Sequence, residues 1–303
     1  MIPANVDLRL LRVFDAVVRH QGFAAAQAEL NISQSTISNQ ITALEKRLGV
    51  SLCQRGRAGF MLTERGCVIH AEALRLFAAL QDFSSAADAV RSQLVGQLRL
   101  GVVDSVVSDP QFRLPEAIAW FDRQASAVSI ELVQGSPQDL QSQVIDGRIQ
   151  MAIGSFPHKA QGLCYLPLYN EVNTLYCAPG HPLFRALDSQ INADLLRSFR
   201  VAGRSYWRSD HPNRQHFPNT AAVAEGVEQH LMLILSGTYI GYLPDHLALP
   251  WVANGKLRQL RRDEFVYSCP FDVVIRAGKG RSALRDAFLE VLKEVYPEAK
   301  APK

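Results

Sequence analysis

Apolar and polar positions follow a helical period from Phe23 to Gly49. Ala26 and Leu30 lie one turn apart, and Ile37, Ile41, Leu44 and Leu48 follow at spacings of four, three and four. The pattern predicts two short helices meeting across a tight turn. The second starts at Ser33, whose hydroxyl can cap free backbone N–H groups. Its outward positions hold Gln34, Ser35, Thr36, Ser38, Asn39 and Gln40. A solvated helix face is normally rich in Glu, Lys and Arg, which favour helix and solubility. Neutral hydrogen-bonding groups instead suit the donor and acceptor pattern of base edges, and a helix of this size fits the major groove. The plainer alternative is a polar helix on an ordinary bundle.

The same period recurs on both sides. Leu8 to Arg19 carries a stripe of Leu10, Leu11, Phe14, Val17 and Val18, so three helices can share one small core. After Gly49, two short apolar runs flank the basic, glycine-containing turn Arg55 to Gly59. This predicts a hairpin with Arg55 and Arg57 at its tip, suited to phosphate or minor-groove contact, or a simple solvated loop. From Thr63 to about Leu94, Ile69, Ala73, Leu76, Leu80, Phe83, Ala87, Val90 and Leu94 alternate at four and three. A lone helix cannot bury such a seam. It calls for a second copy of itself, or for the chain's own next domain, and the length favours the copy.

Beyond Gly96 the pattern changes to strands alternating with helices. Strands are predicted at Leu98–Val103, Val128–Val133, Gln150–Gly154, Leu163–Leu168 and Thr174–Ala178, with helices at Gln111–Gln124 and Gln138–Gly147. A second set has strands at Phe199–Ala202, Thr220–Ala224 and Tyr239–Leu243, and helices at Glu225–Ser236 and Asp245–Ala253. Strand Phe271–Arg276 and helix Arg281–Val295 close the chain. Repeated alternation means largely parallel sheets covered by helices, and two sets suggest two lobes. Ligands bind such sheets at the carboxyl ends of the strands, here in the cleft between lobes.

Charge sharpens this division. Of 32 Lys and Arg and 29 Asp and Glu, residues 1–66 hold 8 and 5, so the remainder is neutral and the whole excess of +3 sits in the N-terminal part. That placement suits phosphate attraction, and its small size favours more than one copy. At 303 residues, with 48% hydrophobic and 20% charged, the composition is globular and suggests two or three domains. The N-terminus has acids within its apolar stretch, unlike a signal peptide, and no run approaches the roughly 18 apolar residues of a membrane span. Five scattered cysteines without C-x-x-C indicate neither a disulfide framework nor a zinc site. A cytoplasmic protein without membrane association is expected. G-x-G-x-x-G, G-x-S-x-G and H-E-x-x-H are all missing, which weighs against an enzyme.

In this order the residues resemble the LysR-type transcriptional regulators over essentially the whole chain. The resemblance rests on Ala26 with Leu30, Ser33-Gln34-Ser35-Thr36-Ile37-Ser38-x-Gln40-Ile41, Leu44-Glu45-x-x-Leu48-Gly49, Leu52-x-x-Arg55 and Leu62-Thr63-x-x-Gly66. Further on, Gly96 to Gly101, Gly147 to Ile153 and Gly241-Tyr242-Leu243-Pro244 are similar to effector-domain segments of the family. It implies an N-terminal winged helix-turn-helix (1–66), a coiled-coil linker helix (67–95) and a two-lobed α/β effector domain like periplasmic binding proteins (96–303). Lobe one would span about 96–165 and 267–303, and lobe two about 166–266. Hinge crossings would lie near Tyr165–Leu168 and Val266–Pro270. It also implies a homodimer or homotetramer on double-stranded promoter DNA, contact with RNA polymerase, and a small-molecule effector with no cofactor. Gly22 and Ala24 replace the Ser or Thr common in the family, and Ser35, Cys53 and Gln150 stand for its usual Pro, Phe and Asp.

For DNA, the candidates are Gln34, Ser35, Thr36, Ser38 and Asn39, with Arg55 and Arg57. For the effector they are Ser105, Ser108, Ser136 and Ser155 after strands, then Arg204, Tyr206, Trp207 and Tyr242. Arg204 beside two aromatic rings could take an aromatic acid. The alternative makes Trp207 core and Arg204 a surface charge. Solute binding for transport, or an enzyme, is the competing function.

Overall fold

The computed structural model describes residues 5–56, 59–90, 94–207, 217, 220–278 and 282–297. The chain divides into two compact units, the first comprising Met1–Ser84 with Asp146–Arg148 and the second the rest.

In the first unit, helix α1 (Asn5–Arg19) and helix α3 (Gln34–Leu48) flank the single-turn helix α2 (Gln27–Leu30). Residues 23–26 form turns, with Ala26 N–H donating to the Gly22 carbonyl, so the first helix of the predicted pair is shorter than its spacing suggests. Ala26 is nevertheless fully buried, with Phe14, Val17, Ile37, Ile41 and Leu44. At the predicted N-cap, Ser33 accepts the Thr36 N–H at 3.2 Å. Gly49 ends α3 in the left-handed region at φ 70°.

Strands β1 (Cys53–Gly56) and β2 (Gly59–Leu62) form the antiparallel hairpin, closing at Gly56 opposite Gly59. Arg55 belongs to β1, opposite Phe60, so it precedes the tip and is not part of it. Arg57 lies outside the described residues. Helix α4 (Glu64–Val90) follows. The heptad seam is divided by the fold. Ala73, Ile69 and Leu76 pack on the unit's own core, whereas Phe83 is 73% exposed and Ala87 is exposed. Leu94 falls beyond the helix and packs on the core of the second unit. Among the described residues of the seam, Phe83 and Ala87 are the ones left exposed.

The second unit contains one seven-stranded sheet. Strands β3 (Gly96–Val102) and β4 (Val128–Gln134) pair in parallel, and β3 also pairs in parallel with β5 (Met151–Gly154). Helices α5 (Leu114–Gln124) and α6 (Pro137–Ile145) connect them. Where two strands are predicted at 163–178, one continuous strand β6 (Leu163–Cys177) runs through both lobes. It pairs antiparallel with the equally unexpected length of β11 (Val266–Arg276), and the register breaks once, between Phe271 and Asp272 opposite Leu168. The break lies at the end of the expected crossing Tyr165–Leu168 and just past the expected crossing Val266–Pro270.

In the second lobe, β7 (Val201–Arg204) pairs in parallel with β8 (Thr220–Ala224). Helix α7 (Ala193–Arg197) precedes β7, and helix α8 (Val227–Leu235) follows β8. Strand β9 (Gly241–Pro244) pairs with β6 and continues into helix α9 (Asp245–Ala253), and the short β10 (Arg258–Gln259) also pairs with β6. The last helix, α10 (Ala283–Val295), returns to the first lobe and packs Phe288 on Phe121. No helix among the described residues is long and apolar enough to cross a membrane.

Candidate functional site: a recognition helix and an interlobe cleft

The first turn of α3 is a ring of hydroxyls. Ser33 Oγ lies 2.9 Å from Ser35 Oγ and 2.8 Å from Thr36 Oγ1. Gln34 donates its backbone N–H to Gln27 Oε1 at 3.0 Å, which ties α2 to α3. Gln34, Ser35, Thr36 and Asn39 are exposed, while Ser38 and Gln40 are half-buried. The predicted face therefore exists as a surface, with Ser38 at its edge. Exposed Arg9 and Arg12 on α1 and Lys46 on α3 add positive charge. Arg19 is committed elsewhere: it grips Glu29 through two nitrogens and Asp15 at 2.9 Å. These bonds, with His20, hold Glu29 down at about 2. Arg47 is tied to the buried Asp7.

In the second unit, strand ends converge on a cavity of about 60 Å³ between the lobes. Ser155, Arg204, Tyr206, Trp207 and Tyr242 line it. Ser105 and Ser136 line the wider groove outside, and Ser108 faces neither, bonding His246 Nδ1 at 2.8 Å instead. Ser105 stands in the left-handed region at φ 58°, and its buried hydroxyl has no partner among the described residues. Such a conformation in a non-glycine residue marks local strain. Ser136 caps α6, accepting the Asp139 N–H at 3.2 Å. Ser155 bonds Cys269 Sγ at 3.0 Å.

Arg204 is the last residue of β7 and is 5% exposed, so the surface-charge reading is wrong. One Nη lies 3.5 Å from Asp104 Oδ1, the guanidinium covers the Tyr206 ring at 5.0 Å, and Nε has no partner among the described residues. Asp104 is anchored by its other oxygen, which accepts the Val227 N–H at 2.5 Å at the start of α8. Trp207 belongs to the second lobe's core, edge-on to His230 at 5.7 Å, while also lining the cavity. Its ring is thus fixed by packing, and a cavity of 60 Å³ is well below the roughly 150 Å³ that admits benzene. Arg204 and Asp104 also line the wider groove outside.

Several cavity residues escape sequence reasoning. Glu171 projects from the middle of β6, where it accepts from Asn173 Nδ2 at 3.0 Å and meets His246 Nε2 at 3.1 Å. Its signal is polar Asn170, Glu171 and Asn173 inside an otherwise apolar strand. His230 is fully buried; burial and then Arg204 push it down to about 3, so it is neutral. A backbone bond to Ala202 engages the ring, and Nε2 has no partner among the described residues. Burial, then Glu171, pushes the Cys269 thiol up to about 12, which makes it a poor nucleophile. Asp109, Glu171 and His246 bring ligand atoms within 4.8 Å of one another, a set able to hold a metal ion.

Comparison with known proteins agrees with both halves. Residues 8–67 match the family described as bacterial regulatory helix-turn-helix protein, lysR family, and residues 91–297 match the LysR substrate binding domain. The HTH-type transcriptional activator BauR of Pseudomonas aeruginosa is 36% identical over 290 residues, covering 95% of each chain. Among solved structures, full-length CbnR complexed with its target DNA has a TM-score of 0.62 at 19% identity, covering 95% of this chain and 99% of that one. A full-length OxyR of Pseudomonas aeruginosa has a TM-score of 0.66 at 21% identity, covering 99% and 97%. The chain belongs to the LysR family of transcriptional regulators, with a DNA-binding helix-turn-helix domain joined to an effector-binding domain.

Proposed function

We propose that this regulator binds promoter DNA as a homodimer or homotetramer, paired through the exposed later part of α4. Gln34, Ser35, Thr36, Ser38 and Asn39 face the major groove, and Arg55 and Arg57 supply charge on the wing. A small molecule in the interlobe cleft controls this binding, in contact with RNA polymerase and in the cytoplasm. The winged helix-turn-helix would occupy 1–66, the linker 67–95 and the effector domain 96–303. Regulation is favoured over catalysis or solute transport because the relatives are named as transcriptional regulators.

The carrying observation is the exposed, neutral first turn of α3 with its Ser33 cap. Gln and Asn can bond adenine bidentately, and Ser or Thr can bond phosphate or base. The test is a gel shift on a promoter fragment. Arg57→Ala should weaken all sequences about equally, whereas Gln34→Ala should relax one base position by about 1–3 kcal/mol. Wild-type binding by both variants sinks the assignment.

A further inference from the structure

We infer that the effector is a small zwitterion, an amino acid whose carboxylate is taken by Arg204 and whose ammonium is taken by Glu171. This rests on the interlobe cavity being the effector site.

The cavity wall carries two opposite polar demands. Arg204 is buried and keeps Nε unpaired among the described residues, and its ion pair with Asp104 is long, at 3.5 Å. A buried cation with an unused donor favours an anionic ligand atom. The opposite demand is for positive charge. Asp104 and Glu171 both line the cavity, so carboxylates outnumber the single arginine. Asp104 is already held by the α8 N-terminus and by Arg204. Glu171 is bonded by Asn173 on one oxygen and by His246 on the other, and among the described residues no Lys or Arg pairs with it. His230 adds a buried ring nitrogen, unpaired among the described residues.

A plain carboxylic acid would satisfy Arg204 but add a third negative charge beside Asp104 and Glu171. A plain amine would suit Glu171 and leave Arg204 Nε bare. A zwitterion answers both at once without changing the net charge of the site. Tyr206, Tyr242 and Tyr267 also line the wall. The cavity is narrow, about 60 Å³, so the smallest amino acids are the first probes.

Calorimetry and thermal melting of the full-length protein test this. The probes are glycine, alanine, 3-aminopropanoate and 4-aminobutanoate, with propanoate, lactate and propylamine as controls lacking one charge. At least one amino acid should bind about 100-fold tighter than its des-amino and decarboxylated counterparts. Glu171→Gln should reduce amino-acid binding at least about tenfold and bring propanoate level with it, and Arg204→Gln should abolish both. The analogue series on the unaltered protein needs no variant to fold. Equal binding of propanoate, unchanged binding by Glu171→Gln, or no binding of any amino acid at 10 mM overturns the inference. Ser155→Trp separates the two readings: a zwitterion that still binds with the cavity filled refutes the cleft as effector site, not the ligand class.

Discussion

Glu45 on the recognition helix accepts the backbone N–H of Leu52 at 2.7 Å, joining the helix to the first residues of the wing. Leu52 is fully buried, so no water can replace that bond. The same oxygen also takes the Cys53 N–H at 3.4 Å and the Ser51 hydroxyl at 3.3 Å. One carboxylate therefore fixes where the wing starts relative to the helix that reads DNA. Glu45→Gln keeps the shape and removes the charge. It should lower stability by about 1–3 kcal/mol, read as a reduced melting temperature, and weaken DNA binding through the displaced wing. An unchanged melting temperature would show that the bond contributes nothing.

Two glycines of the first unit should respond differently to a side chain. A Cβ on Gly66 would stand 1.9 Å from the Leu52 carbonyl oxygen, a backbone atom that cannot swing away. Gly66→Ala should therefore destabilise by at least about 1–3 kcal/mol in denaturant unfolding. A Cβ on Gly22 would meet nothing within 4 Å. Gly22→Ser should stay within about 0.5 kcal/mol of the parent. If the hydroxyl common in the family approaches phosphate, the same variant should bind DNA more tightly in a gel shift.

Acid should destabilise the effector domain before its carboxylates titrate. His230 has its folded value depressed to about 3, by burial first and Arg204 second, and His181 is also lowered by burial. Between about pH 6.5 and the depressed value the unfolded chain binds more protons, so stability falls as pH falls. In the DNA-binding unit, by contrast, the paired Glu29 contributes loss only below about pH 4.5, toward its folded value of about 2. His230→Gln should flatten the decline between pH 6.5 and 4.5 in melting curves. A slope equal to the parent's would assign the decline to other groups.

Ser105 carries strain at the mouth of the cleft. Its φ of 58° suits glycine better, and its buried hydroxyl is unpartnered among the described residues. Ser105→Gly should raise stability by up to about 1 kcal/mol. A loss of stability would mean that the hydroxyl has an effect of its own.

Elements whose apolar face is continuous were legible in the sequence. Helix α3 shows its buried stripe and cap directly, and the hairpin shows its glycine-bounded turn. The single turn of α2 was not, because residues 23–26 bury Phe23 and Ala26 without completing a helix. Strand β6 read as two pieces because Pro167, Asn170, Glu171 and Asn173 interrupt its apolar pattern. Those polar residues are tolerated there because side chains from distant segments, such as His246, meet them. For the same reason Glu171 was invisible as a site residue. Strand ends pointed to Ser155 and Arg204, but no local rule marks a carboxylate halfway along a strand that crosses between lobes. The heptad seam misled in extent, since a period alone does not tell which partner each turn meets.

The paired strands β6 and β11 set the mechanics of the effector domain. They run side by side through both lobes over all eleven residues of β11, interrupted only opposite Leu168. Hydrogen-bonded strands resist sliding, so the lobes are restricted to flexing at that interruption, where Tyr169 stacks on Phe271 at 4.8 Å. Such a coupling favours bending over sliding, and ligands are expected to differ in how far they bend it. We expect distances between spin labels on the two lobes to vary along a single coordinate across a set of ligands; independent changes in two directions would contradict this. A domain so constrained acts as a dial rather than a set of separate switches, turning ligand occupancy into one graded angle.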